Sequence, residues 1–281
     1  MSKIGIAVCG NSGIDYFDHN EKIRVFRSLL LMGEEEYEDF VDISADTFYE
    51  RIVAEPDLDV KTAQTSTGVI KAMYDEMTDK GFDELIVITV SKELSGTYQN
   101  AVLAARMVDV PVHLFDSKSV SYVEASMAID AQRMADAGDD VDAILKRLEY
   151  LRDHNHIFVT VHTLRYLVKN GRLSNAAGFF GSLLKLKPLL EVSDDGKVIT
   201  KKKIRTTTKA RKMMFDIFYD EIKGKNVEVF LIYTNNKEEI KAMRDEMVKH
   251  DGIDDVKLIP LTPVVGCHAG PGTMGLGYIE R

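Results

Sequence analysis

An α/β fold in two parts is what this chain of 281 residues predicts. Two observations of order carry the prediction. The first half alternates short β-branched runs with amphipathic helical stretches, the pattern of a largely parallel sheet covered by helices. After His154 the pattern becomes β-runs around a hairpin signal followed by longer helices and strands, which reads as α+β. A hydrophobic share of 45% is enough to fill a sizeable core in each part. The boundary falls near residue 155, giving domains over 1–155 and 156–281.

Ile4–Val8, Leu85–Val90 and Val112–Phe115 are the strand candidates of the first part. Between them Ser66 can cap a helix running to about Lys80, which Gly81 ends, and Thr97–Val108 reads as the next helix, so that a βαβ unit closes at Phe115. Ile23–Met32, then Gly33, then Tyr37–Val41 reads as a hairpin. Tyr122–Ala137 and Val141–Arg152 are helical and lead out of the first part. In the second part Ile157–Val161 and Leu189–Val192 read as strands, and Asp194-Asp-Gly196 is a hairpin turn into Lys197–Arg205. A helix over Thr208–Ile222 puts Ala210, Met213, Met214, Ile217 and Phe218 on one face, followed by a strand at Val227–Tyr233, a helix at Lys237–His250 and a strand at Val256–Leu261.

The net charge of −9 argues against a general nucleic-acid binder, because such binding rests on Lys and Arg neutralising phosphates. The apolar run at the start is too short for a signal peptide and no stretch approaches 18 apolar residues, so a cytoplasmic protein without stable membrane anchoring is expected. Cys9 and Cys267 stand far apart with no CxxC spacing, which suggests neither a zinc site nor a disulfide framework.

Four short stretches carry the chemistry. Val264–Gly277 is rich in glycine (266, 270, 272, 275) and holds His268, which reads as a histidine presented on a tight turn. Its Gly270-Pro-Gly-Thr-Met-Gly275 matches the dinucleotide fingerprint by letter but lacks the helix and second strand that the fingerprint needs. Cys267 beside His268 is no catalytic dyad, since neighbours in an extended chain point to opposite faces. Thr62, Thr65 and Ser66 cluster at a helix start, where hydroxyls either cap the helix or seat an anion. Ser95, in Leu94-Ser-Gly-Thr97, repeats this arrangement at the carboxyl end of a parallel strand, where open α/β sheets bind ligands. Nucleophilic use of Ser95 is disfavoured because no G-x-S-x-G elbow surrounds it. Arg172, in Lys169-Asn-Gly-Arg172, sits on a polar turn and could clamp a carboxylate or phosphate, or simply face solvent. From Lys197 to Lys212 there are eight Lys or Arg residues and no acid, either a solvated face or a docking surface for an acidic partner.

Taken in order, these segments resemble the DegV family of bacterial fatty-acid-binding proteins, the lipid-carrying subunits of fatty acid kinase. Lys61-Thr-Ala-Gln-Thr-Ser66 is similar to the family's Thr-Ser-Gln-Pro-Ser segment, and Asn11-Ser-Gly-Ile-Asp15 stands where the family usually has Asp-Ser-Thr-Ala-Asp. Ser91–Gln99, Asp116-Ser-Lys118, Leu164–Leu173, Gly181–Pro188 and His268-Ala-Gly-Pro-Gly272 also match, so the likeness spans nearly the whole chain. It implies a Rossmann-like first domain, a second domain with a mixed or antiparallel sheet, and a long-chain fatty acid between them. The carboxylate would be held by Thr62 and Ser95, with Gly96 and Thr97 beside it. His268 and Arg172 would lie near the headgroup and serve phosphoryl transfer with an ATP-dependent kinase partner that makes an acyl phosphate for phospholipid metabolism. No metal and no cofactor beyond the lipid is implied, and the chain itself shows no Walker or kinase signature. Ala63, Thr65, Asn11 and Gly13 depart from the family pattern.

Burial of about 14 methylenes would supply roughly 11 kcal/mol gross, and the carboxylate must then be hydrogen-bonded to tolerate a dry site. Phe179, Phe180, Leu183 and Leu184 are apolar candidates for the tunnel wall or for plain core. His268 is expected to titrate near neutrality and Arg172 to remain charged. Two other functions stay open: a stand-alone hydrolase or phosphotransfer enzyme acting on a small anion at Ser95 and His268, and a lipid-sensing or transport protein without a kinase partner.

Overall fold

The computed structural model describes residues 3–174 and 186–281. Phe179, Phe180, Leu183 and Leu184 therefore lie outside the described residues. The chain has an α/β fold with a parallel sheet, a separate mixed sheet and a small antiparallel one.

The parallel sheet has the order β2 (Arg24–Phe26), β1 (Ile4–Cys9), β6 (Glu84–Thr89), β7 (Val112–Asp116). Both faces of its central strands are buried, which is why they read as continuous apolar runs. One face packs on α2 (Thr67–Asp79) and α3 (Thr97–Ala105) through Ile70, Met73, Tyr74, Met77, Ala101 and Ala104. The other face packs on α4 (Tyr122–Ala137), whose small residues Ala125, Ala128 and Ala131 let it lie close to β1. α5 (Val141–Asp153) follows on α4, its start capped by Asp140, which accepts from the Ala143 amide at 2.8 Å.

The second sheet has the order β10 (Val198–Lys202), β9 (Leu189–Val192), β8 (Asn155–Thr160), β13 (Met274–Glu280), β11 (Val227–Tyr233), β12 (Val256–Pro260). Its strands are antiparallel except for the parallel pair β11 and β12. α7 (Thr207–Glu221) and α8 (Lys237–Met247) cover one face with Ala210, Met214, Phe218, Ile240 and Met247. The opposite face meets α4, so that one buried cluster runs from Val8 and Ile88 through Tyr122 and Val123 to Ile157, Phe230 and Ile279. Tyr122 and Phe230 meet there with ring centroids 5.2 Å apart.

The expected hairpin from Ile23 to Val41 divides between two sheets. Arg24–Phe26 joins the parallel sheet beside β1, whereas β3 (Leu29–Met32) pairs with β4 (Glu35–Glu38) and β5 (Val60–Ala63). The crossing at Arg27 and Ser28 is held by non-sheet partners. The Arg27 guanidinium pairs with Asp15, and Thr65 Oγ1 donates to the Arg27 carbonyl at 2.8 Å. α1 (Ala45–Ala54) follows, and among the described residues no helix is long and apolar enough to cross a membrane.

Candidate functional site

A cavity of about 170 Å³ opens between the carboxyl ends of the parallel strands and the inner face of the mixed sheet. Ile157, Val159, Val192, Val198 and Ile232 give it an apolar wall from alternate strand positions. Thr62, Ser95, Arg172 and His268 add polar groups to the wall. Residues far apart in sequence thus meet on one small volume.

His268 arrives there on a helix, which glycine content argued against. α9 spans Pro263–Ala269, and His268 occupies its last turn rather than a tight turn. Pro263 at the first helical position needs no N–H, and the helix stops at Gly270, whose φ of 81° suits glycine. Gly266 lies inside because a Cβ there would fall 2.0 Å from the Tyr49 hydroxyl oxygen. That hydroxyl donates to the Leu261 carbonyl at 2.9 Å and fixes the entry to α9. Cys267 and His268 diverge because consecutive helical residues are rotated from each other, not because the chain is extended. Burial pushes the Cys267 thiol up to about 12.

His268 Nε2 lies 3.0 Å from Thr62 Oγ1, and its Nδ1 is buried with no hydrogen-bond partner. Burial first and the Arg172 charge second lower its pKa to about 4, so the imidazole is neutral at pH 7. This corrects the expectation that it titrates near neutrality.

Thr62 stands mid-strand on β5, opposite Leu30, rather than at a helix start. The helix start belongs to Ser66, which accepts from the Val69 amide at 3.3 Å, while Thr65 is buried on the Arg27 carbonyl. Ser95 precedes α3, its Oγ 2.9 Å from Thr97 Oγ1 and accepting from the Thr97 amide at 3.2 Å. Thr97 is fully buried beneath it, outside the cavity wall. Gly96 is likewise outside the wall, covered by Gln64, whose Oε1 would lie 2.2 Å from a Cβ there. Arg172 follows α6 (Arg165–Lys169) and Gly171, and its Nε donates to the Leu94 carbonyl at 3.2 Å, linking the Ser95 loop to the second half of the chain. Asn170 Nδ2 donates to the Cys267 carbonyl at 3.1 Å, tying the Arg172 turn to α9.

Several wall residues escaped the sequence reading of the site. Asn11, Ser28 and Ser121 bring polar groups from the ends of β1, β2 and β7. Asn11 and Gln64 fell inside segments that were noticed, but nothing marks Ser121, whose φ of 64° only its surroundings enforce. Four of the basic residues pair with acids: Lys197 with Glu93 at 3.5 Å, Lys201 with Glu191 at 2.6 Å, Lys212 with Asp216 at 2.7 Å, and Arg211 with Glu239. Among the described residues no group of three or more His, Cys, Asp or Glu side chains could hold a metal ion.

The family model described as "Uncharacterised protein, DegV family" matches residues 7–281. A DegV domain-containing protein of Halalkalibacterium halodurans is 31% identical over 255 residues, covering 90% of this chain and 89% of that one. Among solved structures, DegV of Bacillus subtilis, described as a fatty acid binding protein, is 26% identical and superposes with a TM-score of 0.88 over 100% of both chains. A stearic-acid-binding protein of Eubacterium ventriosum is 25% identical, with a TM-score of 0.83 over 100% of this chain and 98% of that one.

Proposed function

This chain belongs to the DegV family, and from that membership we propose that it binds a long-chain fatty acid and presents the carboxyl group to a separate ATP-dependent kinase. The observation that carries the reading is the cavity itself, whose wall joins valine and isoleucine side chains to hydroxyls, an imidazole and a guanidinium. Burial of the alkyl chain supplies affinity, and Thr62 and Ser95 hydrogen-bond the carboxylate that would otherwise be stranded in a dry site. The ligand lies at the junction of domains 1–155 and 156–281, in a cytoplasmic protein that needs no metal or further cofactor of its own.

In the transfer step a carboxylate oxygen attacks the terminal phosphorus of ATP held by the partner, and the bond to ADP breaks. Arg172 supplies fixed positive charge to the phosphoryl group, and neutral His268 supplies a hydrogen bond rather than a second charge. Hydrolysis by this chain alone is the weaker reading, because Ser95 is engaged with Thr97 while His268 is engaged with Thr62.

Native mass spectrometry of protein purified from bacteria tests lipid binding. A near-stoichiometric fatty acid of about 14 to 18 carbons is the expected result, a length at which buried methylenes outweigh the costs of immobilisation. Bare protein that takes up no lipid on incubation would overturn it. Acyl phosphate formed only when kinase and ATP are both added would separate the carrier from a sensing or transport protein.

A further inference from the structure

Two polar residues of the cavity wall take no part in holding the carboxylate. Asn11 and Ser28 stand just past the carboxyl ends of β1 and β2. These strands pair in parallel with Cys9 opposite Phe26, and the chains stay together one residue on, where a Cβ at Gly10 would lie 3.1 Å from Arg27 Cγ and 3.5 Å from Arg27 Cα. The same register carried to the next residue sets Asn11 beside Ser28. Ser28 in turn leads into β3, where Leu29 pairs with Ala63 and Leu30 with Thr62, so it stands diagonally from Thr62 at a spacing on the order of 7 Å. The patch is thus next to the Thr62 and His268 pair without being part of it.

Both side chains bring donors that no protein group uses. Ser28 is 4% exposed, yet its Oγ makes no hydrogen bond among the described residues. Asn11 Oδ1 accepts from the Cys9 thiol at 2.7 Å, which leaves the Nδ2 hydrogens without a partner among the described residues. Arg27, between the two in the chain and in space, is taken up by Asp15. What the wall offers here is therefore a pair of neutral donors, suited to a neutral oxygen rather than to a second anionic group. A plain alkyl chain laid over the patch would cut both residues off from water and give them nothing to bind, whereas an oxygen on the chain would satisfy them.

We propose that Asn11 and Ser28 form a second polar subsite that selects an acyl chain carrying a hydroxyl group a few carbons from its carboxylate. The inference rests on the fatty-acid reading and adds to it the chemical class of the ligand. The hydroxyl oxygen accepts from Asn11 Nδ2 and shares a hydrogen bond with Ser28 Oγ, while the carboxylate stays with Thr62 and Ser95. Selectivity arises on both sides of the comparison, because the ligand that lacks the hydroxyl leaves buried polar groups unpaired.

Competition titrations with hexadecanoate and 3-hydroxyhexadecanoate test this on lipid-free wild type, Ser28→Ala and Asn11→Ala, with thermal melts to verify folding. The wild type is expected to hold the hydroxy acid about tenfold more tightly, the scale of one or two buried hydrogen bonds. Each variant is expected to reduce that preference below about threefold by weakening the hydroxy acid, with hexadecanoate changed less than about twofold. A wild type that binds both acids equally, or variants that keep the preference, would overturn the proposal. Variants that weaken both acids alike would overturn it as well, by showing that these donors serve the carboxylate. Ser28→Ala removes one oxygen and no backbone contact, so it decides alone if Asn11→Ala, which leaves the Cys9 thiol without its acceptor, does not fold. Wild-type protein that takes up neither acid would defeat the fatty-acid reading and the subsite together, whereas hexadecanoate bound without any preference defeats the subsite alone.

Discussion

Replacing Thr62 and Ser95 together by alanine separates recognition of the carboxylate from burial of the chain. A hydrogen bond from a hydroxyl to a charged oxygen contributes about 1.5–3 kcal/mol, but neither hydroxyl is idle without ligand. Thr62 Oγ1 lies 3.0 Å from His268 Nε2, and Ser95 Oγ lies 2.9 Å from Thr97 Oγ1, so each must share or exchange a partner when the acid enters. Removal also strands neighbours: His268 would lose its Nε2 contact when its Nδ1 already has none, and the Thr97 amide would lose its acceptor. These corrections oppose one another, leaving a net loss on the order of 2–4 kcal/mol, or roughly 30- to 1,000-fold in Kd. Displacement titrations with oleate and with oleyl alcohol measure it, alongside thermal melts to verify folding. The alcohol, which presents no charge, is expected to lose less than about threefold. Equal losses for acid and alcohol would show that the hydroxyls do not read the carboxylate.

Arg172→Ala and His268→Ala are each expected to retain bound lipid in mass spectrometry yet lose acyl-phosphate formation with kinase and ATP by roughly 10²-fold, the scale for one positioned group. Loss of lipid in both would recast them as structural. His268 sits at about 4 in the folded protein against an ordinary value of 6.5, so the unfolded chain binds more protons in that window; this residue's contribution is lost as pH falls from 6.5 to 4. His268→Asn should flatten the stability profile there by up to about 3 kcal/mol, and urea midpoints at pH 4.5 and 7 that move in parallel for both proteins would contradict this. Gly277→Ala would place a Cβ 2.3 Å from Phe230 Cζ and 2.7 Å from the His156 carbonyl oxygen in the middle of the mixed sheet. A loss of about 2–3 kcal/mol in urea unfolding is expected, and an unchanged midpoint would mean that β8 and β13 can separate freely.

Local chemistry is legible in the sequence wherever a segment's own residues settle its conformation. Ser66 and Gly81 bound α2, Leu189–Val192 and Val227–Tyr233 are strands to the residue, and Asp194-Asp-Gly196 turns β9 into β10, since caps, alternation and turn residues act within a few positions. Family membership was equally legible, because short ordered motifs survive in the letters. Tertiary structure decided what depends on distant partners. Leu29–Met32 reads as a continuation of Arg24–Phe26, yet the Asp15 and Thr65 contacts to Arg27 send the two into different sheets. Glycines at 266 and 270 argue for a loop, but the Tyr49 hydroxyl claims the space beside Gly266 and Pro263 opens α9 at its first position. His268 and Thr62 become neighbours only when α9 packs on β5, and the same packing strips water from the imidazole and holds it neutral. Burial and long-range pairing belong to the folded chain as a whole, so the motifs that hold Thr62, Ser95, Arg172 and His268 stand out in the sequence while the protonation, contacts and cavity of these residues do not.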